Sequence, residues 1–382
     1  MQAINGGTIA ADAFYLDTGS SGYRWSVGSL SINGYEYSLV QGGISGNTND
    51  WYLTSEASQV APEGGAYIGT QQATRTMFDH GLQDRASKRS LGADRQDSGL
   101  WMRAQGRHDK GMRMAEGKVD IDSSSDVVQM GGALLRRPVG AQGALYAGLM
   151  AGYGDARIDS TSTLMRRDTN TAVRAKAHGK VSGYSAGVYG TFYADDVNRL
   201  GAYVDTWLQY GRYTNRLSSE LGSADYDSNL WSASLESGYA LAPFAADSPF
   251  RAWVVEPRGQ LIYSRYTARA ADLQDTRLRN GTADAWRSSI GVRLYQQPGQ
   301  AADESVLRPF VETNWLHSEA VPSVRMGSNS FDARPSRDAL ELKVGAQLRV
   351  ARDVELSSHL FGHSGSASEY GYGGQLSLSY SW

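Results

Sequence analysis

The side chains of this sequence that could carry chemistry are few and scattered. Six histidines and no cysteine occur among the 382 residues, so thiolate nucleophiles, thiolate metal ligands and disulfides are excluded. His359 and His363 have the i, i+4 spacing of a helical zinc pair. Their segment alternates like a β-strand, however, and there the two rings would lie about 13 Å apart. Asp195 and Asp196 fall in a predicted short turn, where capping in solvent is the expected role.

Other patterns that would indicate an enzyme or a nucleic-acid-binding protein are also missing. No Gly-x-Ser-x-Gly elbow comes with the acid and histidine order of a hydrolase. The net charge is −3, with 37 basic and 40 acidic residues, which does not favour a nucleic-acid partner. The sequence therefore predicts no catalytic site, no metal and no cofactor.

The remaining charged residues follow a regular pattern, because many occupy alternate positions of otherwise apolar segments. Between Leu340 and Val350, for example, apolar residues alternate with polar ones at a period of two, which is typical of a strand. In a membrane barrel the polar face lines a wet lumen, whereas a soluble barrel would turn the same face outward. On the membrane interpretation, the lumen-facing wall residues are Asp205, Glu236, Glu256, Arg258, Arg287, Arg293, Glu312, Glu341 and Lys343.

The number of alternating segments favours the membrane interpretation. A small soluble barrel is filled at about eight strands, so a larger one needs polar filling or water. No stretch approaches the roughly 20 apolar residues of a membrane helix. Twelve alternating runs lie near 97–108, 122–135, 143–155, 179–194, 199–213, 225–240, 250–266, 284–297, 305–317, 338–351, 353–364 and 370–382.

The connections between these runs alternate in length. Those predicted as long loops are 109–121, 156–178, 214–224, 267–283 and 318–337. Most of the others are short turns, and long loops at one rim with tight turns at the other are expected of an outer-membrane barrel. The sequence thus predicts an all-β fold, a 12-stranded antiparallel transmembrane β-barrel over residues 97–382.

The sequence of residues 59–96, which precede the barrel, predicts a long helix over Tyr67–Ser90. The helix is too polar to bury well in a soluble core, and we expect it to thread a wet lumen. A solvated surface helix or linker is the alternative. The charged residues of the predicted lumen helix are Arg75, Asp79, Asp84, Arg85 and Arg89.

Several segments resemble one family of membrane barrels. Gly201–Tyr210, Glu256–Tyr263 and Arg308–His317 look like the fifth, seventh and ninth strands of the autotransporter β-domain, in the family's order. Leu82-Gln83-Asp84-Arg85 resembles the Leu-His-Asp-Arg motif that closes the family's lumen helix, with Gln83 in place of the histidine. The strand that ends in Leu378, Tyr380 and Trp382 resembles the terminal signal read by the outer-membrane assembly machinery.

The N-terminal residues resemble a second part of the same family. Tyr37–Gly42 and Asn49–Leu53 are similar to the junction of pertactin-like passengers. The resemblance implies that residues 1–58 form a short right-handed β-helix fragment outside the cell. There it would act as an autochaperone that templates passenger folding, with Asp50, Trp51, Tyr52 and Leu53 at the junction.

The resemblance implies an outer-membrane translocator, monomeric, that secretes and displays its own passenger with the help of periplasmic chaperones and outer-membrane lipid. Residues 61–95 contain no Asn, so the lumenal Asn–Asn cleavage of some relatives is not expected. Residues 1–5 lack the features of a secretory signal, so we expect an exported parent to be longer than this chain. A porin-like channel, an outer-membrane enzyme and an adhesin anchored by this part are the alternatives.

Overall fold

A computed structural model describes residues 14–42, 47–56, 58–85, 99–245, 247–281, 284–297, 307–351, 353–366 and 368–381. An N-terminal part contains two helices and four strands: β1 Tyr23–Arg24, β2 Ser29–Ile32, β3 Tyr35–Gly42, β4 Asn47–Thr54, α1 Glu63–Thr76 and α2 Leu82–Arg85. The strands that follow are β5 Gly99–Met114, β6 Val119–Val139, β7 Gly143–Arg166, β8 Thr171–Tyr193, β9 Gly201–Ser219, β10 Gly222–Ala240, β11 Trp253–Ala268, β12 Ala271–Leu273, β13 Thr276–Asn280, β14 Asp284–Gln296, β15 Leu307–Ser318, β16 Ser323–Met326, β17 Asn329–Asp332, β18 Asp338–Ala351, β19 Val354–Gly365 and β20 Tyr370–Ser381.

Twelve of these strands form a closed antiparallel barrel, which confirms the predicted fold class. Their order is β5-β6-β7-β8-β9-β10-β11-β14-β15-β18-β19-β20. The barrel closes where β20 pairs with β5, from Ser381 opposite Gly99 to Tyr370 opposite Lys110. Closure satisfies the backbone groups of every barrel strand without leaving an edge, which is what a membrane requires of a sheet.

Along the long barrel strands, the polar side chains face the interior in one part and the exterior in the other. On β10, the outward positions from Trp231 to Tyr239 include Leu235 and are largely apolar, and they cover nine residues, the length that crosses a bilayer. Beyond Trp231, the outward side chains become charged, as at Asp225 and Asp227, and the inward ones become apolar. The part of the barrel at the level of Trp231 to Tyr239 therefore has the apolar outer surface of a membrane-spanning barrel, and we call it the lower part. The part beyond Trp231 has a polar outer surface and an apolar interior, as a soluble protein has, and we call it the upper part.

This inversion explains why the predicted long loops were wrong. The segments 109–121, 156–178 and 214–224 are mostly continuations of barrel strands that end in tight turns, and β7 runs as far as Arg166. The segments predicted as loops at 267–283 and 318–337 contain β12, β13, β16 and β17, which form a separate four-stranded sheet. We call the upper end of the barrel, where these segments lie, the loop end.

The N-terminal strands also differ from the prediction. β1 to β4 form an antiparallel sheet in sequence order, so the described part of residues 1–58 is not a β-helix, whose strands would be parallel. The turn between β2 and β3 contains Asn33 at φ 51° and Gly34 at φ 92°. Two consecutive residues with positive φ are typical of a tight antiparallel hairpin, so local turn chemistry sets this pairing.

The predicted lumen helix is present, but its predicted bounds, Tyr67–Ser90, are wrong. Residues 86–90 lie outside the described part of the chain, and the helix before them is broken between Thr76 and Leu82. α1 is also buried along most of its length, so it packs against the barrel wall more closely than a helix in a wet lumen would. Among the described residues, no helix is long and apolar enough to cross a membrane.

Small residues on α1 allow this close packing. A Cβ atom added to Gly65 would lie 2.8 Å from Cγ1 of Val119, and one added to Gly69 would lie 3.0 Å from Cγ1 of Ile158. We call the contact between α1 and the wall the seam. On its wall side, a Cβ on Gly179 would lie 2.7 Å from Cγ2 of Thr70. The helix and the wall therefore pack so closely that no Cβ fits at these glycines, a feature that hydrophobic periodicity does not indicate.

Alanine at both seam glycines is expected to destabilise the protein, although alanine is the better helix former. Helix propensity alone would give Gly65→Ala/Gly69→Ala a gain of about 1 kcal/mol per site. The clash with the wall is expected to outweigh this gain, with overpacking that costs about 1–3 kcal/mol. Thermal unfolding in detergent measures the effect. Gly190→Ala is the control, because its nearest atom would be 3.7 Å away, and equal stability of both variants would refute the tight seam.

Candidate functional site in the barrel lumen

The break between α1 and α2 is held by side chains of the barrel wall. The carbonyl of His80 accepts hydrogen bonds from Trp207 Nε1 at 3.2 Å and Gln260 Nε2 at 2.9 Å. The carbonyl of Phe78 accepts one from Gln209 Nε2 at 3.4 Å. Backbone groups that would be orphaned by the end of a helix are thus paired by the wall, which fixes this part of the chain within the lumen.

α2 is anchored through both its backbone and its side chains. Glu236 of β10 accepts the backbone N–H of Leu82 at 2.9 Å, and Gln83 Nε2 donates to Glu256 Oε1 at 2.8 Å. Arg85 forms a buried ion pair with Asp205. The predicted wall residues Asp205, Glu236 and Glu256 therefore meet the plug directly. Gln83 supplies a wall contact at the position where the family motif has histidine.

A buried charge cluster surrounds Asp84. Its carboxylate lies 3.4 Å from Nζ of Lys343, which also lies 3.6 Å from Glu312 and 3.8 Å from Glu341. Arg258 Nη2 pairs with Glu312 at 2.5 Å, and Arg293 Nη1 lies 3.4 Å from the same carboxylate. Such a cluster is stable in a low-dielectric interior only because both signs are present.

The other predicted residues sit at the upper edge of this site. Arg287 forms an ion pair with Asp79 and donates to the carbonyl of Arg75 at 2.8 Å. The Arg75 guanidinium lies 5.7 Å from the ring centroid of Tyr266. Arg89, the last charged residue of the predicted lumen helix, lies outside the described residues.

Sequence reasoning missed the uncharged and basic wall residues that hold the backbone of the plug. Arg103 Nη2 donates to the carbonyl of Asp79 at 3.4 Å. Gln375 Nε2 and Ser377 Oγ donate to the carbonyl of Asp84 at 2.8 and 3.1 Å. Their alternation with lipid-facing residues placed them on the lumen side, but nothing in the sequence indicated their partners.

A polar cavity of about 240 Å³ lies beside the plug. Its lining runs from Arg337 and Glu369 near the loop end to Asp84 and Lys343 at the level of α2. The lumen is therefore close-packed on one side of α1 and open to small polar molecules on the other.

The isolated residues that could have carried chemistry lie on barrel strands or are held by hydrogen bonds to neighbouring side chains. His359 and His363 lie on β19, as the alternation predicted. Ser185 lies in the middle of β8, in the pentapeptide Gly183–Gly187, and donates to Gln209 at 3.2 Å. Asp195 caps its turn in solvent as predicted, since it accepts the backbone N–H of Val197 and Asn198. Asp196 does not, because its carboxylate is buried and accepts the hydroxyl of Tyr146 at 2.7 Å. The described residues contain no group of three or more potential metal ligands.

The predicted junction and assembly-signal residues lie at opposite ends of the fold. Asp50, Trp51, Tyr52 and Leu53 are on β4, where Trp51 pairs with Gln41 and Leu53 with Leu39 of β3. Leu378 and Tyr380 of β20 point outward and are 39% and 45% exposed. Trp382 lies outside the described residues.

A closed barrel with an apolar belt and a helix packed in its lumen is the architecture that the strand motifs implied. The sequence model of the autotransporter β-domain matches residues 100–359. The chain belongs to the autotransporter β-domain family. It is accordingly an outer-membrane translocator for passenger secretion, and the loop end faces the cell exterior.

Individual relatives agree with this assignment. The uncharacterized Escherichia coli K12 protein YdeU is 28% identical over 94% of this chain and 83% of its own length. The Escherichia coli autotransporter adhesin AIDA-I is 25% identical over 95% of this chain but only 29% of its own length. The crystal structure of the AIDA-I transport unit has the same fold, with a TM-score of 0.72, 23% identity, and coverage of 85% of this chain and 100% of that one.

Replacing Lys343 is expected to loosen α2. In Lys343→Gln the carboxylates of Asp84, Glu312 and Glu341 lose a shared cation. Breaking a buried ion pair costs about 3–5 kcal/mol. We expect a loss of stability near the smaller of these values, because the polar cavity adjoins the site. Hydrogen exchange at residues 82–85 measures the loosening. Exchange no faster than in Lys110→Gln, which changes an exposed lysine on β5, would contradict it.

Proposed function

We propose that this translocator exports the polypeptide that precedes it through its own lumen and is then closed by residues 59–85 as a plug. The observation that carries the proposal is the anchoring of α2 and of the break before it. Wall side chains pair with backbone carbonyls of the break at Phe78, Asp79 and His80 and with that of Asp84 in α2. An incidental linker would not be held at so many points, whereas the last exported segment would rest in the lumen after export.

Residues 1–58 are proposed to template passenger folding at the cell surface. The sheet β1–β4 is joined to the plug by a buried triad, in which Arg24 contacts Glu36 at 3.0 Å and Glu63 at 2.8 Å. All three side chains are at most 2% exposed. Glu63 begins α1, so the triad joins the sheet to the first turn of the plug helix. The sheet also contacts the barrel, where Ser26 N donates to Glu220 Oε1 at 2.6 Å. A sheet fixed in this way supports a role as the first folded surface on which the passenger continues.

Removal of residues 13–53 from the full-length parent tests the templating role. The expected result is a passenger that reaches the surface but is degraded by added protease, because it lacks its folded base. Normal protease resistance and normal display of the passenger would overturn the templating role. It would leave the export role intact.

The alternatives are a passive channel, an outer-membrane enzyme and an adhesin anchor. The packed helix opposes a passive channel, because close packing of α1 leaves no straight path through that side of the lumen. An adhesin parent remains compatible, because AIDA-I is an adhesin and the ligand of any passenger lies outside this chain. We propose no catalytic role, since Ser185 of β8 is hydrogen-bonded to Gln209 of β9 and the histidine on the same strand, His178, is paired with Asp159 on the outer face.

The outer-membrane assembly machinery and periplasmic chaperones are proposed as transient partners. The support is the last strand, whose Leu376, Leu378 and Tyr380 point outward at alternate positions. β20 must pair with β5 to close the barrel, so it presents an unpaired edge until that step. An assembly factor that binds this edge would protect it from aggregation.

A further inference from the structure

One outward face above the membrane is strongly basic. On β8 the consecutive outward positions 174, 176, 178 and 180 are Arg, Lys, His and Lys, and all four are exposed. On the neighbouring strand β9, Arg212 is also exposed and points outward. We call Arg174, Lys176, Lys180 and Arg212 the basic stripe.

The basic stripe has no charge partner among the described residues. Its neighbours do have partners. His178 Nδ1 lies 2.7 Å from Asp159, and Arg216 Nε lies 2.7 Å from Asp225. Within the sheet, Lys180 stands directly between two other cations, opposite Arg157 on β7 and Arg216 on β9. Like charges directly opposite each other are destabilising, so this arrangement favours a bound anion.

The position of the basic stripe relative to the membrane interface indicates where that anion lies. Tyr153 and Tyr184 face each other across β7 and β8 with ring centroids 5.0 Å apart, and Tyr210 and Trp231 do the same across β9 and β10 at 4.8 Å. Aromatic pairs of this kind mark the membrane interface of a barrel. Arg212 lies directly opposite Tyr184, so the stripe begins at the level of the lipid head groups.

The surface next to the stripe is concave. A groove of about 310 Å³ runs across β9 to β11, and its lining includes Tyr210, Arg212 and Asn229. Asp227 also lines it, and the carboxylate of Asp227 lies 3.7 Å from Nη1 of Arg269. On the other side of the stripe, β6 and β7 place Asp126 directly opposite Asp155 and Asp122 opposite Asp159. The acidic side repels anions, so an anionic ligand is restricted to the face of β8 and β9.

We propose that the basic stripe binds the phosphate groups of a phosphorylated glycolipid in the outer leaflet. Arginine pairs with phosphate through two parallel hydrogen bonds, and lysine adds a point charge. Tyr184, which is 70% exposed, offers its ring to the adjoining sugar. The ligand is a lipid rather than a soluble anion, because Arg212, at the lower end of the stripe, lies directly opposite Tyr184 at the level where the acyl chains end. The inference depends on the outer-membrane location and not on the passenger or the plug.

Lipid binding by the full chain in phosphatidylcholine nanodiscs tests this inference. The nanodiscs contain a trace of fluorescent bisphosphorylated lipid A, and its association with the barrel is measured by energy transfer. The test variant is Arg174→Gln/Lys176→Gln/Lys180→Gln/Arg212→Gln. The matched control, Arg113→Gln/Arg277→Gln/Arg325→Gln/Arg334→Gln, removes four exposed arginines elsewhere at the loop end. Heat-dependent gel migration verifies that each variant is a folded barrel.

The expected result is association at least about tenfold weaker in the test variant, because each cation near a lipid surface contributes to anion binding. The control variant should match the parent within about twofold, and removing both phosphates from the lipid A should abolish the difference. Inorganic phosphate should not compete. Equal binding by the two variants, equal binding of the dephosphorylated lipid, or displacement by inorganic phosphate would each overturn the proposal.

Discussion

Single-channel conductance should rise by about an order of magnitude when residues 1–85 are removed from the barrel. The plug fills one side of the lumen by close packing of α1 and is fixed below by α2. A twelve-stranded barrel without it is wide enough to hold a continuous column of water. Planar-bilayer recording of the purified chain and of the deletion variant gives the two conductances directly.

A shorter deletion separates the plug from the sheet above it. Removing residues 1–56 takes away β1 to β4 but leaves α1 and α2 in place. We expect its conductance to stay near that of the full chain. A full chain that already conducts like the 1–85 deletion would contradict the plug, because α1 would then not block the lumen.

Arg24→Met is expected to detach the N-terminal sheet from α1, with a loss of about 3–5 kcal/mol. The substitution leaves Glu36 and Glu63 buried together without a cation, although Ser29 Oγ still donates to Glu36 at 2.6 Å. Limited proteolysis in detergent measures the detachment as new cleavage within residues 14–56, while the barrel itself stays folded and heat-modifiable.

Removing all three charges provides the control. Arg24→Met/Glu36→Gln/Glu63→Gln leaves no buried carboxylate uncompensated, so we expect it to be more resistant to protease than Arg24→Met alone. A triple variant as sensitive as the single variant would show that the ion pairs do not hold the sheet.

The triad also predicts how the stability of the sheet depends on pH. Burial raises the pKa of Glu36 above its ordinary value, although Arg24 and the Ser29 hydroxyl oppose the shift. The folded sheet therefore takes up a proton more readily than the unfolded segment, and its stability should rise as pH falls from neutral toward the ordinary pKa of glutamate. Glu36→Gln mimics the protonated form and should remove this dependence.

The membrane-crossing half of the barrel could be predicted from the sequence because its two faces differ. Leu340, Leu342 and Val344 meet lipid while Glu341 and Lys343 meet the lumen, so a period of two identifies both the strand and its orientation. The same register then placed the nine charged wall residues on the inner face. Their individual partners depend on which strands meet around the plug, and that is decided by barrel closure.

The upper half was missed because its polarity is reversed. On β8, the inward residues Ala175 and Ala177 alternate with Arg174 and Lys176 facing water, although the sequence predicts residues 156–178 to be a long loop. The buried position of α1 was missed for a related reason. Its seam consists of Gly65 and Gly69, which add nothing to hydrophobicity but let the helix approach the wall.

Display of a tag placed ahead of residue 1 is the most direct test of the central claim that this chain exports what precedes it. A short epitope, with a secretory signal before it, is fused to the chain and produced in a Gram-negative host. Antibody should bind the epitope on intact cells, and added protease should remove it without cutting the barrel. An epitope reached only after the outer membrane is permeabilised, with the barrel folded and heat-modifiable in that membrane, would contradict the account.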